Sequence, residues 1–211
     1  GGACAGVDAL MAGQTKHAYI AARPPGHHAE PSRAMGFCLF ATVSIAARYA
    51  QQKYGLKRVA ILDPDVHHGN GTQAVFWSDP SVFFVSSHQM PLYPGSGAAS
   101  ETGENGNIIN LPLDTGAGAE AFKPAWETAF DKVRAFQPEL IIVSAGYDAH
   151  KDDPLGGLTL TDQDFAWFGQ QARQLANQLC GGKLLSSQEG GYNLDALQSS
   201  VAAYAKAAAA M

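Results

Sequence analysis

Short apolar runs alternate along this chain with longer stretches in which apolar residues return every three or four positions. The short runs, Ala18–Ala22, Arg58–Leu62, Val82–Ser86, Ile108–Leu111, Leu140–Ser144 and Lys183–Ser187, predict strands. Helical patterns cover Val7–Ala12, Phe37–Lys53, Pro124–Phe136, Asp162–Leu179 and Leu194 to about Ala208. Within Pro124–Phe136, the residues Trp126, Phe130, Val133 and Phe136 form one stripe, the face of a helix that buries itself in a core. Pro124 is expected in its first turn, where a missing N–H costs nothing. Strands alternating with helices imply parallel pairing through right-handed crossovers, hence an α/β fold with a mainly parallel sheet. No repeat, linker or low-complexity segment interrupts the pattern, so residues 1–211 read as one domain.

Composition narrows the function classes. A net charge of −5 argues against nucleic acid as the main partner, because phosphate binding needs a basic surface. No apolar run approaches the ~20 residues needed to cross a bilayer. Cys4, Cys38 and Cys180 are too few and too scattered for a disulfide framework or a Cys-x-x-Cys zinc site. They read as free thiols in a reducing compartment, the cytoplasm.

Polar and glycine-rich residues gather where the strands end, which is where an open parallel sheet carries its site. Arg23–Ala29 follows the first strand, Asp63–Gly71 the second, Ser86–His88 the third, Ser144–Asp148 the fifth and Glu189–Asn193 the sixth. Asp65 and His67 make a plausible metal half-site, since alternate residues of an extended segment project to one side. Asp148, at a neighbouring strand end, is the best-placed third ligand. Two carboxylates and one imidazole leave a catalytic metal an open position. Asp-x-His alone is a weak signal, as surface loops are rich in both residues. Adjacent His27 and His28 on a glycine-containing loop offer a general base near neutral pH. Tyr192 follows two glycines that let the backbone approach a ligand, though a lone tyrosine there is more often a packed rim residue.

Together the stretches RPPGHHA (23–29), MGFCLFATVSIAA (35–47), DPDVHHGNGTQ (63–73), YPGSGA (93–98), SAGYDAHKDDPLGG (144–157) and EGGYN (189–193) resemble the zinc-dependent histone deacetylase family, nearest its class II and bacterial amidohydrolase-like branch. The resemblance implies a three-layer α/β/α, arginase/deacetylase-like fold. It also implies a chain that lacks the first part of the family's domain, including an outer strand and an acidic residue at the rim. The edge so exposed is expected either to pair with a second copy of the chain or to need the absent segment for solubility and full activity. One departure is Pro64, where the family usually has Trp.

Carried over residue by residue, the resemblance makes Asp65, His67 and Asp148 the zinc ligands and His27 and His28 the tandem catalytic histidines. Tyr192 becomes the tyrosine that binds the substrate carbonyl, Asp63 the acid that orients His27, and Asn70 the partner of His28 in class II members. Gly36, Phe37, Tyr93, Leu155 and Gly190 are expected along the acyl-lysine channel. Asp63, Asp65, His67, Ser86 and Ser87 match one structural potassium site. Phe76, Asp79, Val82 and Asn107 match a second. The implied reaction is zinc-dependent hydrolysis of acetyl-lysine, with a neutral His28 taking the proton from water. Hydrolysis of acetylpolyamines, or silent binding of acetylated amines, are the alternatives. Acetylated lysines or small amines are the expected partners, with no nucleic acid and no membrane.

Overall fold

The computed structural model describes residues 1–210. In chain order the elements are α1 (Gly2–Met11), β1 (His17–Ile20), α2 (Thr42–Tyr54), β2 (Val59–Asp63), α3 (Asn70–Phe76), β3 (Val82–Gln89), β4 (Ile108–Leu113), α4 (Ala119–Phe136), β5 (Leu140–Ala145), α5 (Asp162–Leu179), β6 (Leu184–Gln188) and α6 (Leu194–Ala209). The six strands form one sheet in the order β1-β6-β5-β2-β3-β4, and every neighbouring pair is parallel.

Side chains of a strand alternate between faces, so each buried strand supplies two cores. Ala60, Leu62, Phe83, Val85, Ile141 and Val143 pack with Phe122, Trp126 and Phe130 of α4, Phe165 and Phe168 of α5, and Tyr204 of α6. Their sequence neighbours Val59, Ile61, Val82, Phe84, Leu140 and Ile142 turn the other way, onto Val7 and Leu10 of α1, Val43, Ala46 and Ala47 of α2, and Phe76 of α3. The result is the expected three layers. At 25 cal/mol per Å2 of apolar area, each large side chain buried this way stabilises the fold by about 1.5–3 kcal/mol.

Local chemistry sets the element ends. Thr161 and Asp164 form a reciprocal capping box at the start of α5. The Asn193 side chain accepts from the N–H groups of Asp195 and Ala196 at the start of α6, both at 3.1 Å. The helix expected from Phe37 begins only at Thr42, because Gly36 and Phe37 have φ of 54° and 62°, outside the helical region. The helix expected from Pro124 begins at Ala119. Pro124 therefore lies inside it, on the exposed side, where the carbonyl left without a partner can be hydrated. The α3 helix was not anticipated: it has seven residues and opens on Asn70-Gly71, two weak helix formers. No helix among the described residues is long and apolar enough to cross a membrane.

Candidate active site

All strands run the same way, so their carboxyl ends share one edge of the sheet, and the polar loops read from the sequence meet there. Asp65, His67 and Asp148 each place a ligand atom within 4.8 Å of the others. His67 Nδ1 sits 3.1 Å from both Asp65 Oδ1 and Asp148 Oδ2. Backbone donors hold the carboxylates: the Val66 N–H donates to Asp148 Oδ1 at 2.9 Å, and the Gly190 N–H to Asp65 Oδ2 at 2.9 Å. Gly190 can do this because it has no Cβ; an added one would lie 1.9 Å from Asp148 Oδ2. Gly190 thus lies beneath the ligand cluster and not along the channel where it was expected.

The electrostatics of this cluster call for a cation. Asp63, Asp65, Asp148 and Glu189 are all 0–1% exposed. Burial, followed by the charge of Asp65, pushes Asp148 up to about 7, and burial raises Asp63. Burial alone would lower His67, but its hydrogen bonds to Asp148 and Asp65 lift it to about 10. A metal ion held by these three residues would compete with a proton on His67. Oxygen and nitrogen donors in this number fit a divalent ion of the zinc type with open positions.

His27 and His28 flank the cluster, their ring centroids 4.1 Å apart. His27 Nδ1 lies 3.0 Å from Asp63 Oδ2, and His28 Nδ1 lies 2.8 Å from Asn70 Oδ1. Asn70 turns its NH2 to Glu30 Oε1 at 2.8 Å, which leaves its carbonyl oxygen for His28. His28 must then carry its proton on Nδ1 and keep the Nε2 lone pair free.

A cavity of about 450 Å3 leads away from the cluster, lined by His28, Gly36, Phe37, His67, Leu92, Tyr93, Leu155 and Tyr192. Four expected channel residues, Gly36, Phe37, Tyr93 and Leu155, are in it. Phe37, Tyr93 and Leu155 are 70%, 47% and 44% exposed, an apolar mouth at the surface. Gly36 is required where the channel meets His28, since a Cβ there would lie 2.1 Å from the ring. Tyr192 is held through its backbone, its N–H donating to Asp153 Oδ2 at 2.7 Å. The Arg23 guanidinium lies 5.4 Å from its ring centroid. Burial and the charges of Asp65 and Asp148 raise the Tyr192 hydroxyl, so it stays a donor.

The expected potassium residues fare differently. Phe76, Asp79 and Val82 do turn their carbonyls to one point, but the Asn107 amide occupies it, donating to the three at 2.9, 3.1 and 3.0 Å. A hydrogen-bond donor at the centre does not fit a cation there. Of the other set, Ser86 is the register partner of Asp63. Its hydroxyl is bonded to His88 Nδ1 at 3.0 Å, and the Ser87 hydroxyl accepts from Trp126 Nε1 at 2.9 Å. These side chains already have protein partners.

Sequence reasoning missed Leu92, Glu189, Asp153 and a buried polar network behind Tyr93. In that network His68 bonds Ser96 Oγ and Gln73 Oε1 at 2.8 and 3.1 Å, and Gln73 Nε2 donates to Glu101 Oε2 at 2.6 Å. Glu101 in turn accepts from the Gly97 and Ala98 N–H groups at 3.1 and 3.0 Å. The network pins the loop that carries Tyr93 to the end of the sheet.

A buried Asp-His-Asp cluster, tandem histidines and an apolar channel thus meet at the carboxyl edge of a parallel α/β sheet. The family model for the histone deacetylase domain matches residues 1–208, and the chain belongs to that family. It is 50% identical over 188 residues to histone deacetylase 10, chloroplastic, of Oryza sativa subsp. japonica, covering 85% of this chain and 42% of that one. It is 40% identical over 196 residues to a histone deacetylase-like amidohydrolase of Pseudomonas aeruginosa, covering 90% and 52%. The crystal structure of an HDA15 HD domain superposes with a TM-score of 0.91 at 39% identity, covering 98% of this chain and 60% of that one. The chain thus spans about half the length of these two relatives.

Proposed function

We propose that this chain hydrolyses the acetyl amide of acetyl-lysine in peptides or proteins, releasing acetate and the free amine, with zinc held by Asp65, His67 and Asp148. The observation that carries this reading is His67 set between two buried carboxylates at the floor of a narrow apolar channel, with the lone pair of His28 beside it. When bound, zinc supplies Lewis-acid polarisation and a water of lowered pKa. His28, with its Nε2 unprotonated, would accept the proton of the attacking water. His27, paired with Asp63, keeps a positive charge next to it. The Tyr192 hydroxyl donates to the carbonyl oxygen as negative charge grows there, the kind of contribution that is usually largest. Phe37, Leu92, Tyr93 and Leu155 enclose the alkyl arm and exclude water.

A polyamine carries further ammonium groups, and no carboxylate is among the residues lining the channel. This favours acetyl-lysine over acetylpolyamine. The test is turnover of an acetyl-lysine peptide and of an acetylated polyamine by the zinc-loaded chain. Hydrolysis of the peptide is expected. Preference for the polyamine would redirect the reading, and stoichiometric binding without acetate release would make the chain a silent binding module. Asp148→Ala should lose both metal, by elemental analysis, and turnover; full zinc occupancy in that variant would refute the ligand set. Tyr192→Phe should keep metal and fold and lose about 10²–10³ in kcat.

A further inference from the structure

We propose that Glu189 is the positioning residue that locks the His27–His28 loop to the sheet, acting through the length of its side chain and not through its charge. The inference rests on the hydrolase reading above for its consequence in turnover. Glu189 directly follows β6 and is 0% exposed; its own N–H donates to Ala145 O at 3.0 Å, extending the β5–β6 ladder. Its backbone is therefore part of the rigid sheet.

The side chain spans from that frame to the loop. Oε2 accepts from the N–H groups of Gly26 and His27 at 2.6 and 3.1 Å, and Oε1 accepts from the Ser144 hydroxyl at 3.2 Å. On its other side, the His27 carbonyl accepts from the N–H groups of Gly71 and Thr72 at 2.9 and 3.2 Å. His27 is thus gripped from β6 through its N–H and from α3 through its carbonyl, while its ring is left to meet Asp63. The loop around it, residues 21–41, has no helix or strand of its own. Pro24 and Pro25 bring no N–H with which to anchor it. Without Glu189, two buried N–H groups would lack partners, and such groups are seldom left unpaired.

The bonding pattern separates reach from charge. Glutamine can point its oxygen at Gly26 and His27 and its NH2 at Ser144 Oγ, which then accepts where it had donated, so Glu189→Gln can keep these three contacts without charge. Glu189→Asp keeps the charge but withdraws the oxygens by about one carbon–carbon bond. Misplacement of about 1 Å at a reacting group can cost on the order of 10²-fold in rate.

Both variants should be made in the full chain, loaded with zinc, checked for metal content, and assayed for kcat and KM on an acetyl-lysine peptide. Hydrogen exchange at the Gly26 and His27 amides is read by NMR on the same samples. For Glu189→Gln the expectation is protected amides and kcat within a few-fold of wild type. For Glu189→Asp it is faster exchange at both amides and kcat lowered by roughly 10–100-fold, with KM changed less than kcat because the Leu92, Tyr93 and Leu155 side of the channel is not held by this loop. The reverse order, an active aspartate variant and an impaired glutamine variant, would overturn the proposal in favour of charge. Equal protection in all three proteins would also overturn it. Were the wild type itself inactive on the peptide, the exchange pattern would still decide the role of Glu189, and only the hydrolase reading would fall.

Discussion

His27 and His28 are neighbours in the chain, are 2% and 4% exposed, and each sets its Nδ1 against a side-chain oxygen about one hydrogen bond away. Burial pushes both imidazoles towards the neutral form. For His27 the charges of Asp63 and Asp65 overcome that push and raise it well above the ordinary histidine range. For His28 the oxygen belongs to a neutral amide, and the charge of His27 adds to the burial, so it falls to about 3. The difference shows that in a dry site the charge of the partner, more than the degree of burial, assigns roles. The surroundings thus favour the charged form of one ring and the neutral form of the other.

The sharpest way to break this comparison is to delete each ring in turn. His28→Ala should lower kcat by about 10²–10⁴ at pH 7, the usual worth of a general base. His27→Ala should cost less, since it removes a charge and not the proton acceptor. Equal losses, or a larger one at His27, would reverse the assignment. Next comes a change of partner. Asn70→Asp puts a carboxylate on His28 Nδ1 and should raise its pKa by about 1–3 units. The reactive form is the neutral ring, which a raised pKa confines to higher pH. The acid limb of the kcat/KM profile should therefore move upward, and an unmoved limb would show that His28 is not the group titrating there. The smallest effect is expected at Glu30→Ala, which frees the Asn70 amide to turn. Loss of that hydrogen bond, worth about 0.5–1.5 kcal/mol, should lower kcat a few-fold while leaving the metal in place.

The polar partners that decide these roles were legible where they lie in motifs. Asp63 and Asn70 fall within a short run beside the metal half-site, and five of the six strand ends announced themselves by glycine and polar clusters. Glu189 was read only as part of such a cluster, because its bonds reach back to residues 26 and 27, more than 160 positions away. Leu92 and the His68–Gln73–Glu101 network escaped because they lie in loops or in the short α3, where no periodicity reports their partners. Phe37 misled in another way. Its apolar neighbours continue into α2 and mimic a helix, whereas its positive φ ends the pattern and holds the aromatic ring out at the channel mouth. For the Asn107 site the resemblance implied a cation cage, and the direction of one amide showed otherwise.

The place of β6 in the sheet, between β1 and β5, governs the order in which the molecule can become competent. A strand made from residues 184–188 separates one made from residues 17–20 from all the others. During synthesis β1 must therefore wait for β6 while more than 150 residues emerge, and bringing such distant segments together slows folding. The same late strand leads into Glu189, Gly190 and Tyr192. Asp65, His67 and Asp148 are already made by then, but Asp65 lacks the Gly190 amide and the His27 loop has no anchor on the sheet. A nascent chain thus holds its complete Asp-His-Asp set before the frame that shapes the site has closed around it.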